Sequence, residues 1–239
     1  MGGESVLKMK NIQIFCGDCL ELMKDIPDNS IDLVVIDPPY EIPNGGGGAF
    51  GIKKRKFRKE LEDGSLTKGF DMAVLDELIR VMQKVNIYIW CNKEQIRDYL
   101  NYFKNCNMEL LTWHKTNPVP ACGNKYLSDT EYLLFFREKG VKVRGTYYTK
   151  RKFYVTQTNK RDKGKYNHPA VKPLDITENI IINSSLEGDV VLDCFMGSGT
   201  VGEACVKLNR NFIGIELDPT YFETAKKRLE EAEVKKHGA

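Results

Sequence analysis

Short apolar runs bounded by Gly, Pro, Asn or Asp recur along this 239-residue chain. Ile31-Asp32-Leu33-Val34-Val35-Ile36 is representative: too short for a helix, β-branched, and lacking the strict alternation of a half-exposed strand. Six more stretches read as strands, at about 12–16, 86–91, 108–113, 131–136, 189–193 and 211–216. Between several of them apolar residues return at helical spacing: Met72, Leu75, Leu78, Ile79 and Met82 in 71–85, Ile96, Tyr99, Leu100 and Phe103 in 93–104, and Leu174, Thr177, Ile180 and Ile181 in 174–185. A last helix opens with Asp218-Pro219, a capping acceptor followed by a proline at the first helical position. Strands alternating with helices predict one α/β domain over 1–239, with a mainly parallel seven-stranded sheet covered by helices on both faces.

Two segments break the alternation and read as inserted loops, 41–70 and 137–170. Net charge is only +3, so its distribution carries the information. Lys53-Lys54-Arg55-Lys56-Phe57-Arg58-Lys59 has six basic residues in seven, and 139–165 holds ten Lys or Arg against the single acid Asp162. Both runs carry aromatics (Phe57; Tyr147, Tyr148, Phe153, Tyr154 and Tyr166), which favours a polyanion partner over a merely solvated face. No apolar run approaches the ~20 residues of a membrane span, and no secretory segment follows Met1, so no membrane association is expected. Seven cysteines, an odd number, suggest a reducing cytoplasm. Cys16-Gly17-Asp18-Cys19 is an isolated CxxC without the further ligands of a zinc site, and no metal is expected.

The strand 31–36 runs into Asp37-Pro38-Pro39-Tyr40, where an open α/β sheet places its ligands. The two prolines remove two N–H donors, leaving carbonyls as the backbone polar groups between a carboxylate and an aromatic ring. Such a surface suits a planar substrate presenting an NH2 group. A second site is written into Val190-Val191-Leu192-Asp193-Cys194-Phe195-Met196-Gly197-Ser198-Gly199-Thr200, a strand entering a glycine turn and then a small-residue helix. The next strand ends in Glu216, placed to accept hydrogen bonds from ribose hydroxyls. Gly197 to Gly202 also matches the GxGxxG of dinucleotide-binding folds, but only one helix remains after the acidic strand, too little for a dinucleotide half-fold.

Asp37-Pro38-Pro39-Tyr40 followed by Asp193-x-Phe195-x-Gly197-x-Gly199-Thr200 resembles the S-adenosylmethionine-dependent DNA amino-methyltransferases, in the motif order of their permuted β subgroup. Gly17-Asp18-Cys19-Leu20 is similar to that family's element for the cofactor adenine. Trp113-x-Lys115-x-Asn117-Pro118-x-Pro120 with Glu131 resembles the stretch before its target-recognition segment, and His168-Pro169-x-x-Lys172-Pro173 its element for the methionine end of the cofactor.

The resemblance implies the methyltransferase fold and a restriction-modification activity: transfer of a methyl group from S-adenosylmethionine to N6 of an adenine flipped out of double-stranded DNA. The implied catalytic residues are Asp37, Pro38, Pro39 and Tyr40. The implied cofactor set is Asp18, Cys19, Asp37, His168, Lys172, Asp193, Phe195, Gly197, Ser198, Gly199, Thr200 and Glu216. Competing readings are a cytosine-N4 enzyme, an RNA-base or protein-glutamine methyltransferase, and a catalytically silent DNA-binding subunit. Several residues keep structural alternatives: Asp18 as a helix cap, Phe195 packed beneath the loop, Lys172 as a solvated lysine, His168 as structural. The family implies a cytoplasmic, DNA-associated protein of a prokaryote or phage and allows a homodimer. The basic segments 51–59 and 139–165 are the expected DNA contacts.

Overall fold

The computed structural model describes residues 6–40, 70–118, 126–166, 168 and 170–237. The four-glycine run and the basic run 53–59 lie outside these residues, as do Pro120, Asn167 and Pro169. One mixed sheet of nine strands runs through the molecule: β1 (Val6–Met9), β2 (Ile12–Cys16), β3 (Leu33–Ile36), β4 (Asn86–Cys91), β5 (Asn107–Lys115), β6 (Thr130–Arg137), β7 (Phe153–Thr156), β8 (Val190–Asp193) and β9 (Asn211–Glu216). Their spatial order is β1-β2-β9-β8-β3-β4-β6-β5-β7. The central run β2-β9-β8-β3-β4 is parallel throughout. Antiparallel pairs join β1 to β2 and put β6 between β4 and β5.

Seven strands match the apolar runs; β1 and β7 are additional. β7 and a short helix, α4 (Lys160–Tyr166), lie within 137–170, which was expected to be loop throughout. The alternation of Phe153 and Val155 (exposed) with Tyr154 (partly buried) is a strand signal, but the surrounding lysines and arginines mask it.

The remaining helices are α1 (Cys19–Met23), α2 (Ala73–Val81), α3 (Ile96–Tyr102), α5 (Leu174–Ser184), α6 (Thr200–Lys207) and α7 (Pro219–His237). They form two outer layers, because strand side chains alternate between faces. Leu33 and Val35 face a core with Ile176 and Ile180 of α5, Ala204 of α6 and Leu229 of α7. Val34 and Ile36 face the other core, with Met23, Leu75, Leu78 and Tyr99 from α1, α2 and α3. Each fully buried Val, Leu or Ile contributes roughly 1.5–3 kcal/mol relative to exposure, so the doubly covered strands β3 and β4 anchor the sheet.

Asn86 is the polar exception at the start of β4. Buried to 5% exposure, its Nδ2 donates to Asp32 O (2.7 Å) and Ser184 O (3.0 Å), tying β3 to the end of α5. Asn86→Ala leaves two carbonyls without this donor and should lower unfolding free energy by about 1–3 kcal/mol in urea titration. A loss under about 0.5 kcal/mol would place Asn86 among ordinary surface substitutions.

Candidate active site

All the candidate residues converge on one edge of the sheet, set by strand direction. In the parallel strands β2, β9, β8, β3 and β4, carboxyl ends share that edge. The reversal of β6 brings its first residues there, with Tyr132 opposite Cys91, and β5 reverses again to deliver Lys115. From β3 the chain proceeds toward β4, and from β8 it proceeds toward β9 on the other side. The crevice between β3 and β8 is therefore the topological switch point, where open α/β sheets bind ligands. Asp37-Pro38-Pro39-Tyr40 leaves one of these strands and the glycine loop leaves the other.

On the β3 side, the Tyr40 hydroxyl donates to Asp37 Oδ1 (2.8 Å), and Lys172 Nζ forms an ion pair with Asp37 Oδ2 (2.6 Å) while donating to the Tyr40 oxygen (3.1 Å). The same ammonium pairs with Glu131 Oε2 (3.1 Å) and lies 5.2 Å from the ring centres of both Tyr40 and Trp90. Lys115 pairs with the other oxygen of Glu131. Lys172, so placed, is buried rather than solvated.

Desolvation pushes the Asp37 carboxyl up, and Lys172 opposes the rise without cancelling it. For Glu131 burial acts the same way, but Lys172 and Lys115 together outweigh it and hold its carboxyl at about 2. Burial alone would lower Lys172; Asp37 and Glu131 more than reverse this, so the lysine stays charged. An ionised Asp37 has about four lone-pair sites. Two are engaged here, so acceptor capacity remains for a further donor.

On the β8 side, Asp193 is 3% exposed and its Oδ1 accepts the Phe195 N–H (3.0 Å), shaping the turn. Burial holds its carboxyl well above the ordinary range. Phe195 packs edge-on against Phe70 (5.3 Å). Gly197 and Gly199 have φ of 53° and 79°, the left-handed region that favours glycine. Gly199 then caps α6, whose first turn presents free N–H groups.

Glu216 reaches back from β9. Its Oε2 accepts the Gly197 N–H (2.6 Å) and its Oε1 the Asp218 N–H (2.9 Å), while its backbone oxygen accepts the Gly17 N–H (2.9 Å). Asp18 caps α1 through the Glu21 N–H (3.2 Å). A hydrogen bond with Cys194 pulls the Cys19 thiol below its usual range and joins the β2 loop to the glycine loop. Among the described residues, no group of three or more His, Cys, Asp and Glu could hold a metal ion. No described helix is long and apolar enough to cross a membrane.

Ser198 and Thr200 turn their hydroxyls toward Arg228 of α7, a residue with no motif to announce it. Glu131 was visible only as part of the family-like stretch, and its pairing with Lys115 and Lys172 spans 16 and 41 positions, beyond any local pattern.

His168 is buried, its Nδ1 accepts the Ala170 N–H (3.2 Å), and its ring packs edge-on against Tyr221 (4.4 Å). Burial, helped by Lys172 and Lys163, lowers it to about 4, so the ring is neutral with its proton on Nε2. An unfolded His168 protonates near 6.5 and the folded one near 4, so the unfolded chain binds more protons between those values. Its contribution to stability is therefore complete above about pH 6.5 and lost as the pH falls to about 4, a change on the order of 3 kcal/mol. Melting temperatures across that window should converge for wild type and His168→Asn; a constant difference would contradict a neutral buried ring.

A family profile described as DNA methylase matches residues 31–227 of this chain. The type II methyltransferase M2.MboI of Moraxella bovis is 30% identical, over 93% of this chain and 89% of its own length. M.HinfI of Haemophilus influenzae, also a type II methyltransferase, is 31% identical over 91% of this chain and 68% of its own. The crystal structure of an M1.HpyAVI–SAM complex superimposes with a TM-score of 0.66 at 27% identity, covering 91% of this chain and 99% of that one. PvuII DNA methyltransferase (cytosine-N4-specific) shares the fold at a TM-score of 0.69 and 16% identity, covering 97% of this chain and 93% of its own. With the profile spanning most of its length, and with a switch-point crevice flanked by the tetrapeptide and the glycine loop, the chain belongs to the N6/N4 DNA methylase family.

Proposed function

We propose that this protein transfers a methyl group from S-adenosylmethionine to N6 of an adenine flipped out of duplex DNA, as a modification enzyme of the type II class. The observation that carries this reading is the joining of two motifs at one crevice. Asp37 and the glycine loop emerge from neighbouring strands, which in a sheet lie about 4.8 Å apart. Support for the donor comes from the M1.HpyAVI–SAM complex, and for the reaction class from the type II methyltransferases M2.MboI and M.HinfI. The resemblance of an Asp-first tetrapeptide to adenine-modifying members favours adenine over cytosine.

The donor set fits the cofactor. Glu216 still has lone pairs for ribose hydroxyls, Asp18 and Cys19 flank the space for adenine, and the loop of Asp193, Phe195, Gly197, Ser198, Gly199 and Thr200 supplies a close backbone approach. His168 and Lys172 border the methionine end, which Asp37 also faces. When bound, the cofactor supplies an electrophilic methyl group on a sulfonium.

The protein's own work is positional and electrostatic. An exocyclic amine is a poor nucleophile because its lone pair is delocalised into the ring. Hydrogen bonds from its two N–H groups to the Asp37 carboxylate and the Pro38 carbonyl favour a pyramidal nitrogen. Acceptors fixed in advance help most as positive charge grows on that nitrogen. Flipping a base costs a few kcal/mol; stacking on Tyr40 offsets roughly 1–3 kcal/mol of this. Tyr147 and Tyr148, largely exposed beside Lys150, Arg151 and Lys152, are candidates to meet the DNA.

Duplex DNA incubated with the protein and labelled cofactor, then digested to nucleosides, should yield N6-methyladenine. N4-methylcytosine would reassign the base, and no product in either nucleoside would overturn the reading. Asp37→Ala should abolish turnover while leaving cofactor binding largely intact.

The ion pair with Lys172 makes a separate claim. Asp37 acts as a carboxylate, so activity falls as pH drops through its raised pKa. Removing the cation that opposes that rise moves the acid limb of the pH–rate profile to higher pH. Lys172→Met should therefore show an upward-shifted limb, and Lys172→Arg a limb near that of wild type. An unshifted limb in Lys172→Met would separate the lysine from Asp37 ionisation.

A further inference from the structure

Arg228 is among the most buried side chains of the described residues, its side chain at 1% exposure in the middle of α7. Its Nε donates to Glu203 Oε2 (2.6 Å), and its Nη1 reaches Ser198 O (3.2 Å), Ser198 Oγ (3.3 Å) and Thr200 Oγ1 (2.9 Å). Three of these four contacts end on the glycine loop. The remaining face is covered by Tyr166, whose ring centre lies 4.1 Å from the guanidinium carbon. Tyr166 ends the basic helix α4, and Lys165 beside it pairs with Glu231 of α7 (3.2 Å).

A buried charge stabilises a helix packing poorly, since desolvation offsets most of the attraction to Glu203. An apolar residue would join α6 to α7 at least as well. What an apolar residue lacks is a planar fork that holds Glu203 through Nε while Nη1 reaches a main-chain oxygen and two hydroxyls of one loop. The loop needs such a tie. Gly197 and Gly199 are left-handed, and glycine retains more conformational freedom than any other residue. Arg228 restrains the two residues that alternate with those glycines.

We propose that Arg228 is a positioning residue for the cofactor loop, and that Tyr166 holds its guanidinium in place, so that docking of the basic helix α4 on α7 sets the affinity for S-adenosylmethionine. The inference rests on the reading of the glycine loop as the site for that donor. Neither residue touches the reacting atoms; both act through Ser198 and Thr200. Their effect therefore belongs in cofactor affinity and not in the rate of the bound complex.

The test uses the full chain, with S-adenosylmethionine binding followed by calorimetry and folding by melting temperature. Tyr166→Ala removes the ring from a partly exposed position and should weaken binding about fivefold, the scale of one partly exposed cation–π contact. KM for the cofactor should rise in step and kcat should stay within about twofold. Tyr166→Phe keeps the ring and should bind as wild type. Arg228→Lys, which keeps the charge but not the fork, should weaken binding at least as much as Tyr166→Ala. Cofactor affinity unchanged in a folded Tyr166→Ala protein would overturn the proposal and leave a packing contact only. Failure of the wild type to bind the cofactor would instead overturn the reading of the loop, and with it this inference.

Discussion

Parallel strands impose a constraint that antiparallel ones do not: their carboxyl ends must all emerge along one edge, with a crossover returning the chain each time. Five neighbouring strands here obey it, and the site is a consequence. The loops after β2, β9, β8 and β3 have no other edge to occupy. The antiparallel flank extends the logic, because reversing β6 and then β5 brings Glu131 and Lys115 to the same side. Residues separated by more than a hundred positions become neighbours through strand direction alone.

The charge at that edge is balanced locally. Lys172 is shared between Asp37 and Glu131, and Lys115 completes Glu131. Two carboxylates and two ammonium groups in a sheltered space would be prohibitive one at a time. With the signs alternating, attraction to neighbours outweighs desolvation for Glu131 and Lys172 and offsets it in part for Asp37. The arrangement also treats the two carboxylates unequally. Glu131 has two cationic partners and falls far below the usual range, whereas Asp37 shares one and rises. The network thus leaves Asp37 the more basic of the pair and the better acceptor.

Much of the fold was legible because its central strands are buried on both faces and read as uninterrupted Val, Ile and Leu. Helix ends were not: apolar periodicity extended 71–85 and 93–104 beyond Ala73–Val81 and Ile96–Tyr102. Periodicity reports a buried face, whereas the end of a helix is set by its backbone bonds and caps. β7 was missed because Phe153 and Val155 are exposed, so alternation in a basic context resembled an aromatic-laced loop. In the site, motifs that are contiguous in sequence could be recognised, including the cap at Asp18 and the turn at Gly197 and Gly199. Arg228 could not. It lies in a helix rich in Lys, Arg and Glu, where nothing local distinguishes one arginine with 2% exposure from its solvated neighbours.

The pairing of β2 with β9 has a consequence for how the molecule comes into being. Ile12 lies beside Phe212 and Cys16 beside Glu216, contacts that close a loop of about 200 residues. Closures of that span are slow, and they wait on synthesis of the last strand. The tetrapeptide is complete by Tyr40, whereas the hydrogen bond from the Gly17 N–H to the Glu216 carbonyl needs residue 216 in place. A chain still being translated therefore carries Asp37-Pro38-Pro39-Tyr40 well before the glycine loop and Glu216 can join it at the same edge of the sheet.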